Sequence, residues 1–234
     1  MTQLSVLFED NHIIAINKRC GDIVQGDKTG DRTLGDEVKE YIKERYNKPG
    51  NVFIGVTHRL DRPTSGAVLF ARTSKALSRL NELFKEDRAI HKTYWAVVDK
   101  KPEPLTAHLN HWLVRDTKQN KSFAYPNERK ESKKASLTYR YLCSSDKFHL
   151  IEIELHTGRH HQIRAQLAAI GLRIKGDLKY GFSRSNTDGG IHLHARKIEF
   201  THPVTGDPVT IIAPPPNDPV WNYFVRTVEN GSKM

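Results

Sequence analysis

The chain has 234 residues and carries 37 Lys and Arg against 27 Asp and Glu, a formal net charge of +10. Its two cysteines, Cys20 and Cys143, exclude a disulfide framework and a cysteine-based zinc site, and they favour a reduced, cytoplasmic setting. No apolar run approaches the length of a membrane span, and the N-terminus lacks the pattern of a signal peptide. A basic chain of this length predicts one large domain or two small ones with a polyanion, most often nucleic acid, as partner; a generally cationic surface is the alternative.

The first part of the chain alternates between short apolar runs and helical periodicity. Thr33 is predicted to cap a helix over 34–46, because two acidic residues in the first turn face the positive end of the helix dipole. Leucines at helical spacing predict a second helix that begins at Thr73 or Ser74. The remaining apolar runs predict strands at 4–8, 12–18, 52–56, 67–71 and 94–98, with a polar loop at 26–32.

The segment 102–134 is predicted to be the least regular part of the chain and is interpreted as a basic insert. Between residues 115 and 134 it has seven Lys and Arg against three Asp and Glu, and Trp112, Phe123 and Tyr125 are interleaved with these charges. Two interpretations stay open. The insert is either an arm that stacks on RNA bases or a solvated basic hairpin.

The last part of the chain returns to regular structure. A helix is predicted from Gln162 to Ile170 with Gly171 as its C-cap. Three consecutive prolines at 214–216 are expected to end the regular fold, apart from one helical turn over 221–225. Strands are predicted at 135–143, 148–155, 191–200 and 208–213. Clustered strands with segregated helices predict an α+β fold with a mixed, mainly antiparallel β-sheet core and flanking helices.

The most informative segment is His58-Arg59-Leu60-Asp61-Arg62-Pro63-Thr64-Ser65-Gly66. Pro63 and Gly66 bracket a tight loop, and an apolar strand follows at once. Asp61 lies between Arg59 and Arg62, so it is expected to stay ionised at pH 7. A carboxylate in this setting suits a nucleophile or a base that works beside phosphate. For an isolated Asp, a surface carboxylate capped by neighbouring arginines would be the default interpretation.

This segment resembles the HRLDxxTSG signature of the RluA-type pseudouridine synthases, which rearrange uridine in RNA. The chain also resembles the other motifs of that family in the family's order, from about Leu4 to Pro214: a strand ending in Lys18-x-x-Gly21, Lys92-x-Tyr94, the TGRxHQIR motif at 157–164, GDxxYG at 176–181 and LHA at 193–195. The resemblance implies a single catalytic domain over 1–234 with the pseudouridine synthase fold and a central catalytic cleft. It also implies a compact member that begins at the catalytic core, without the N-terminal RNA-binding module of many relatives.

The resemblance assigns three catalytic residues. Asp61 is the family's catalytic aspartate, and Arg164 would pair with it and orient it. Tyr94 would pack on the flipped uracil, although an aromatic residue on a strand is by itself more often part of the core. From position alone, Arg62 is expected to fill the space that the base leaves or to contact a phosphate. The expected substrate contacts are His58, Arg59, Arg62, Thr64, Arg159, His160, Gln162 and Tyr180.

The chain departs from the family pattern at a few positions. Arg19 stands where proline is usual, and Gln166 stands where histidine is usual. The segment 172–174 replaces a proline-bearing turn. None of these departures touches Asp61, Tyr94 or Arg164, so they bear on substrate contacts more than on the chemistry.

The reaction that the resemblance implies needs no cofactor, because uracil is detached from ribose, rotated and rejoined through carbon 5. The expected partner is rRNA or tRNA, bound by a cytoplasmic monomer without a metal or a membrane. Twelve histidines raise a metal interpretation, but no carboxylate or cysteine set completes a site around His192 and His194. The alternatives are a non-catalytic RNA-binding module and a glycosylase, which would release free uracil.

Overall fold

The computed structural model describes residues 4–26, 30–85 and 89–231, so residues 27–29 of the predicted loop lie outside the described part. Within these ranges the strands are β1 (Val6–Glu9), β2 (Ile13–Lys18), β3 (Gly55–Val56), β4 (Ser65–Ala71), β5 (Ile90–Val98), β6 (Thr106–Asp116), β7 (Lys121–Tyr125), β8 (Lys133–Ser144), β9 (His149–Leu155), β10 (Leu193–Thr201) and β11 (Pro208–Ile212). The helices are α1 (Leu34–Arg45), α2 (Ser74–Lys85), α3 (Gln162–Ala169) and α4 (Pro219–Gly231), with a short 3-10 helix at Leu178–Tyr180.

The chain forms two compact units. The first extends to His91 and includes Ala195–Pro214, and the second comprises Lys92–His194 and the residues from Pro215 onward. The prediction of an α+β fold with a mainly antiparallel sheet is confirmed, since the strand pairs β1–β2, β2–β4, β10–β11 and all four pairs of the second unit are antiparallel.

The helix α1 begins as its sequence predicts. The hydroxyl of Thr33 accepts a hydrogen bond from the backbone N–H of Asp36, and the Asp36 carboxylate accepts one from the backbone N–H of Thr33. This reciprocal capping satisfies two donors that the helix itself cannot use. Leu34, Val38 and Ile42 form the buried side of the helix.

Strand β4 is the centre of the first unit, and all of its seven residues are buried. Alternate residues contribute to different sides, and Leu69 packs with Ala76 and Leu80 of α2 in one apolar cluster. Gly66 has a φ of 116°, and a Cβ atom there would lie 2.4 Å from the carbonyl oxygen of Ala195. Only glycine fits this contact, which fixes where the segment before β4 enters the sheet.

The second unit has the strand order β5–β9–β8–β6–β7, and it corrects the prediction for 102–134. That segment is regular over 106–116 and 121–125, because β6 and β7 form a hairpin and β6 also pairs along β8. A strand with one buried face alternates apolar and polar residues along the sequence. In β6 the apolar residues lie on both faces, with Leu109 and Leu113 on one face and Trp112 and Val114 on the other, so the sequence does not show this alternation.

The C-terminal helix α4 is also longer than the single predicted turn. Asp218 caps it, accepting hydrogen bonds from the backbone N–H groups of Val220 and Trp221. Trp221 and Phe224 are buried against Trp95, Val97 and Leu150. Burial against the sheet therefore stabilises a helix longer than the one turn predicted, although three prolines precede it. No helix in the described ranges is long and apolar enough to cross a membrane.

Candidate active site

The segment with Asp61 forms a tight turn immediately before β4. The backbone N–H of Thr64 donates to the carbonyl oxygen of Asp61 at 3.0 Å, so Arg62 and Pro63 occupy the centre of a four-residue turn. Asp61 is partly exposed, whereas Leu60 and Thr64 on either side are buried. The turn thus presents one carboxylate between two anchored residues.

A buried lysine holds this turn through hydrogen bonds to its backbone carbonyls. Lys18, at the end of β2, is 1 % exposed, and its ammonium donates to the carbonyl oxygens of Arg19 at 2.9 Å, Arg62 at 3.1 Å and Thr64 at 2.7 Å. The carbonyl of Arg62 also accepts from the backbone N–H of Gly21 at 2.9 Å. Three donors and three fixed acceptors match, so the ammonium ties the end of β2 to the turn.

Burial lowers the pKa of Lys18 from 10.5 to about 8, because removing the ammonium from water disfavours its charged form. Electrostatic interactions with Asp22, Cys20 and Asp61 oppose this effect, in that order. Lys18 therefore remains mainly protonated at neutral pH and loses its charge in mildly alkaline solution.

The side chain of the motif histidine, His58, accepts a hydrogen bond from β4 that the backbone of a paired strand would otherwise accept. Its Nε2 accepts the backbone N–H of Leu69 in β4 at 3.0 Å, and its ring stacks on Phe84 with centroids 4.8 Å apart. The neighbouring Thr57 hydroxyl donates to the carbonyl oxygen of Leu69 at 2.5 Å. Side chains thus continue the pairing that the two-residue strand β3 begins, and His58 anchors the segment that leads to Asp61.

The other predicted contacts of the first unit differ in exposure. Arg59 and Arg62 are exposed, with Arg59 donating to Gln25 at 3.3 Å and Arg62 lying 3.5 Å from Asp31. Such exposed pairs contribute little to stability. The hydroxyl of Thr64 is buried and, among the described residues, has no hydrogen-bond partner.

In the second unit, Arg164 is held rigidly inside the protein. Its Nε and Nη2 donate to the two carboxylate oxygens of Asp177 at 2.7 and 2.8 Å, and the two side chains are 5 % and 1 % exposed. The guanidinium carbon lies 5.0 Å from the centroid of the Tyr180 ring. This two-bond pair over an aromatic face leaves the guanidinium one orientation.

The Tyr180 hydroxyl is itself fixed. It accepts the backbone N–H of Ser122 at 2.9 Å, donates to the carbonyl of Ser122 at 3.1 Å, and lies 3.0 Å from Nδ1 of His161. Burial, followed by the charge of Arg164, lowers the pKa of His161 to about 2, so this histidine is neutral. His161 has a φ of 52°, a left-handed conformation that is maintained by its packed surroundings.

The turn before α3 uses several motif residues internally. Oε1 of Gln162 accepts the Thr157 hydroxyl at 2.8 Å and the backbone N–H of Arg159 at 2.9 Å, and its Nε2 donates to the carbonyl of Ser136 at 3.0 Å. The exposed Arg159 donates through Nε to the carbonyl of Lys134 at 3.1 Å. Gln162 is 3 % exposed, so it shapes this turn.

His160 links the same turn to the hairpin. Its Nδ1 lies 2.9 Å from the Ser122 hydroxyl and its Nε2 lies 3.1 Å from the side-chain oxygen of Asn120. The ring also stacks on His161 with centroids 3.8 Å apart. Tyr94 lies on β5 opposite Ile153 and is 8 % exposed.

Gln166 explains one departure from the family pattern. It is fully buried, and its Nε2 lies 3.2 Å from the carbonyl of Leu109, 3.3 Å from that of Ala135 and 3.1 Å from Nδ1 of His111. Burial lowers the pKa of His111, which favours the neutral ring that this contact needs. The departure therefore concerns the packing of α3 on the sheet.

The structure thus divides the predicted site residues into two groups. His58, Arg59, Asp61, Arg62 and Thr64 belong to the turn of the first unit, and Arg159, His160, Gln162, Arg164 and Tyr180 surround the start of α3 in the second, with Tyr94 on β5. The sequence alone did not indicate that Lys18 holds the turn or that Asp177 pairs with Arg164. The only signals in the sequence were that Lys18 ends an apolar strand and that Asp177 follows Arg164 by thirteen residues.

The histidine-rich part of the second unit contains no metal centre among the described residues, where no three or more His, Cys, Asp or Glu are grouped around a common point. His192 instead contacts Asn186 at 2.9 Å and Asp218 at 3.4 Å and stacks on Trp221. The hydrogen bond from His192 lowers the pKa of Asp218, against the effect of its burial.

Comparison with known proteins identifies the family. Residues 12–169 match the family model described as RNA pseudouridylate synthase. The chain belongs to this family. It is therefore an RNA pseudouridine synthase by class, and the resemblance of its motifs to that family is confirmed.

Individual relatives agree with this assignment. The chain is 31% identical to ribosomal large subunit pseudouridine synthase D of Zymomonas mobilis, over 97% of this chain and 74% of the relative. It is 33% identical to tRNA pseudouridine synthase C of Salmonella typhimurium, over 90% of this chain and 85% of the relative. The solved human RNA pseudouridylate synthase domain containing 4 shares the fold, with a TM-score of 0.77 at 22% identity over 96% of this chain and 93% of that one.

The buried ammonium of Lys18 makes stability depend on pH. Because its folded-state pKa of about 8 lies below 10.5, the unfolded chain binds more protons between these values, and the contribution of Lys18 to the free energy of unfolding rises with pH across that window. The difference corresponds to roughly 3 kcal/mol. We expect urea unfolding to show that the wild type gains this amount relative to Lys18→Met between neutral pH and the ordinary lysine pKa. Parallel pH profiles of the two proteins would contradict it.

The pair formed by Arg164 and Asp177 predicts a non-additive mutant cycle. Asp177→Asn should lower the free energy of unfolding by about 3–5 kcal/mol, because it removes the negative charge that accepts two hydrogen bonds from the buried guanidinium. The double variant Arg164→Met with Asp177→Leu should recover much of this loss. Asp146→Asn, in an exposed turn, is the control and should unfold like the wild type. A double variant no more stable than Asp177→Asn would show that the buried charge is not the cause.

Proposed function

We propose that the protein isomerises specific uridines of structured RNA, in rRNA or tRNA, to pseudouridine, with Asp61 as the catalytic carboxylate. The observation that carries the proposal is the family match over 12–169. The matched segment includes Lys18 and the turn that contains Asp61, whose carbonyl groups accept hydrogen bonds from Lys18. The names of the relatives, one a ribosomal and one a tRNA synthase, support these two classes of RNA.

The reaction rearranges bonds within one nucleotide. The bond between N1 of uracil and C1′ of ribose breaks, and a bond between C5 and C1′ forms after the base has rotated. The hydrogen on C5 leaves to water and N1 gains a proton, so atoms and electrons balance without a cofactor or a metal. A stacked uridine must first leave the helix, which requires a pocket that binds the flipped base.

The side chains take different parts in this proposal. Asp61 acts as nucleophile or base on the sugar or the ring, Tyr94 packs on the uracil, and Arg164 orients Asp61. Among the expected substrate contacts, the exposed guanidinium groups of Arg59 and Arg62 suit phosphate.

The remaining contacts are assigned by their partners within the protein. Thr64 and Arg159 are retained as substrate contacts. His58, His160, Gln162 and Tyr180 hold the turns that carry the others, as their internal hydrogen bonds support. We further propose a monomer that works in the cytoplasm without a metal.

The test is release of tritium from RNA labelled at carbon 5 of uridine. Wild type and Asp146→Ala should release tritium from bulk tRNA or rRNA, whereas Asp61→Ala and Asp61→Asn should release none above background. Release by Asp61→Ala at the wild-type rate would refute the role of Asp61. Free uracil would indicate a glycosylase, and binding without release from either pool would indicate a non-catalytic RNA-binding module.

A further inference from the structure

The outer face of the β6–β7 hairpin carries three aromatic side chains in neighbouring positions. Trp112 lies directly opposite Tyr125, and Val114 lies directly opposite Phe123, so these residues share one face of the sheet. All three rings are partly exposed. We call Trp112, Phe123 and Tyr125 the aromatic face.

The opposite side of the same hairpin is covered by helix α3. Leu113 and Ala124 pack there with Ala165 of the helix and with Tyr180. The inner side already supplies the apolar packing of the hairpin. The rings of the outer face therefore add apolar surface that this packing does not require. Large partly exposed aromatic groups on one sheet face are typical of surfaces that bind a partner.

Positive charge lies next to these rings. Lys121 Nζ is 5.3 Å from the centroid of Phe123, and the guanidinium carbon of Arg129 is 5.0 Å from that of Tyr125. The exposed Lys134 lies opposite Trp112 on β8. The nearby carboxylate of Asp116 accepts backbone N–H groups within the hairpin turn. The face therefore combines rings with cations, which is the chemistry that binds unpaired nucleotides.

The hairpin is also held in a defined position. Lys179 donates to the carbonyls of Gln119 and Asn120 at 3.3 and 3.1 Å, and Tyr180 bonds both the N–H and the carbonyl of Ser122. His160 bridges the side chains of Asn120 and Ser122. A surface ordered before binding loses little conformational entropy when it binds.

From this arrangement we infer that the aromatic face is a binding surface for single-stranded RNA, on which unpaired bases stack while the surrounding lysines and Arg129 contact phosphates. The inference rests on the proposed function and adds to it the place on the second unit where substrate RNA binds outside the reacting nucleotide. Of the two interpretations of the basic insert, the inference favours the arm that stacks on RNA bases, built on the β6–β7 hairpin.

Intrinsic fluorescence tests this surface directly. Trp95 and Trp221 are 6 % and 2 % exposed, whereas Trp112 is partly exposed on the aromatic face. A single-stranded RNA of about 12 nucleotides should quench the wild-type emission, and Trp112→Phe should lose that quenching. Absence of quenching in the wild type, or its persistence in Trp112→Phe, would overturn the inference.

Binding measurements provide the second test. Phe123→Leu and Tyr125→Leu keep apolar packing within the hairpin but remove the stacking ring, so each should weaken binding of the same RNA about 5- to 50-fold. Phe53→Leu changes an exposed ring elsewhere and should bind like the wild type. Urea unfolding of each variant verifies that the fold is retained.

The possible results separate this inference from the proposed function. Unchanged affinity in Phe123→Leu and Tyr125→Leu overturns the inference, even if the wild type releases tritium from uridine-labelled RNA. Equal weakening for an RNA duplex of the same length also overturns it, because duplex bases cannot stack on the rings. Selective loss of single-strand affinity supports the surface, whether or not the wild type isomerises uridine.

Discussion

The Lys18 ammonium donates to three backbone carbonyls, and the position of Asp61 depends on these bonds. Two acceptors belong to the turn at 61–64 and one to the chain after β2. A shift of either segment would leave the buried ammonium without one of its acceptors, which is costly away from water. Burial lowers the pKa of Lys18 to about 8, so the charged lysine destabilises the folded state at neutral pH while it holds the turn that carries Asp61.

Arg164 in the second unit is also a buried cation whose position is fixed by hydrogen bonds. A cation is buried with acceptors that determine its orientation, here the two carboxylate oxygens of Asp177, and the ring of Tyr180 supports it. In both units, residues that were expected to contact substrate make hydrogen bonds within the protein, as His58 and Gln162 show. These motif residues thus help to fix the shape of the backbone.

Local signals in the sequence predicted local structure well. The cap of α1 at Thr33 and the buried strand β4 follow from a few neighbouring residues and were found as expected. The regular strands β6 and β7 were not predicted because their apolar residues lie on both faces, although a hairpin was one of the two interpretations. Helix α4 was predicted too short because its burial depends on distant strands. The role of Asp177 also depends on folding, since its distance from Arg164 along the chain gives no periodic signal.

We expect the Lys18 ammonium to position Asp61 for chemistry without itself determining RNA affinity. Single-turnover tritium release by Lys18→Met, at saturating RNA and neutral pH, measures this role, with Lys147→Met as the control for an exposed lysine. The rate for Lys18→Met should be at least about 10-fold lower than that of the wild type, because about 1.4 kcal/mol or more of transition-state stabilisation is lost when Asp61 is less well positioned. The RNA dissociation constant should be unchanged. A wild-type rate in Lys18→Met, with the fold intact, would contradict this role.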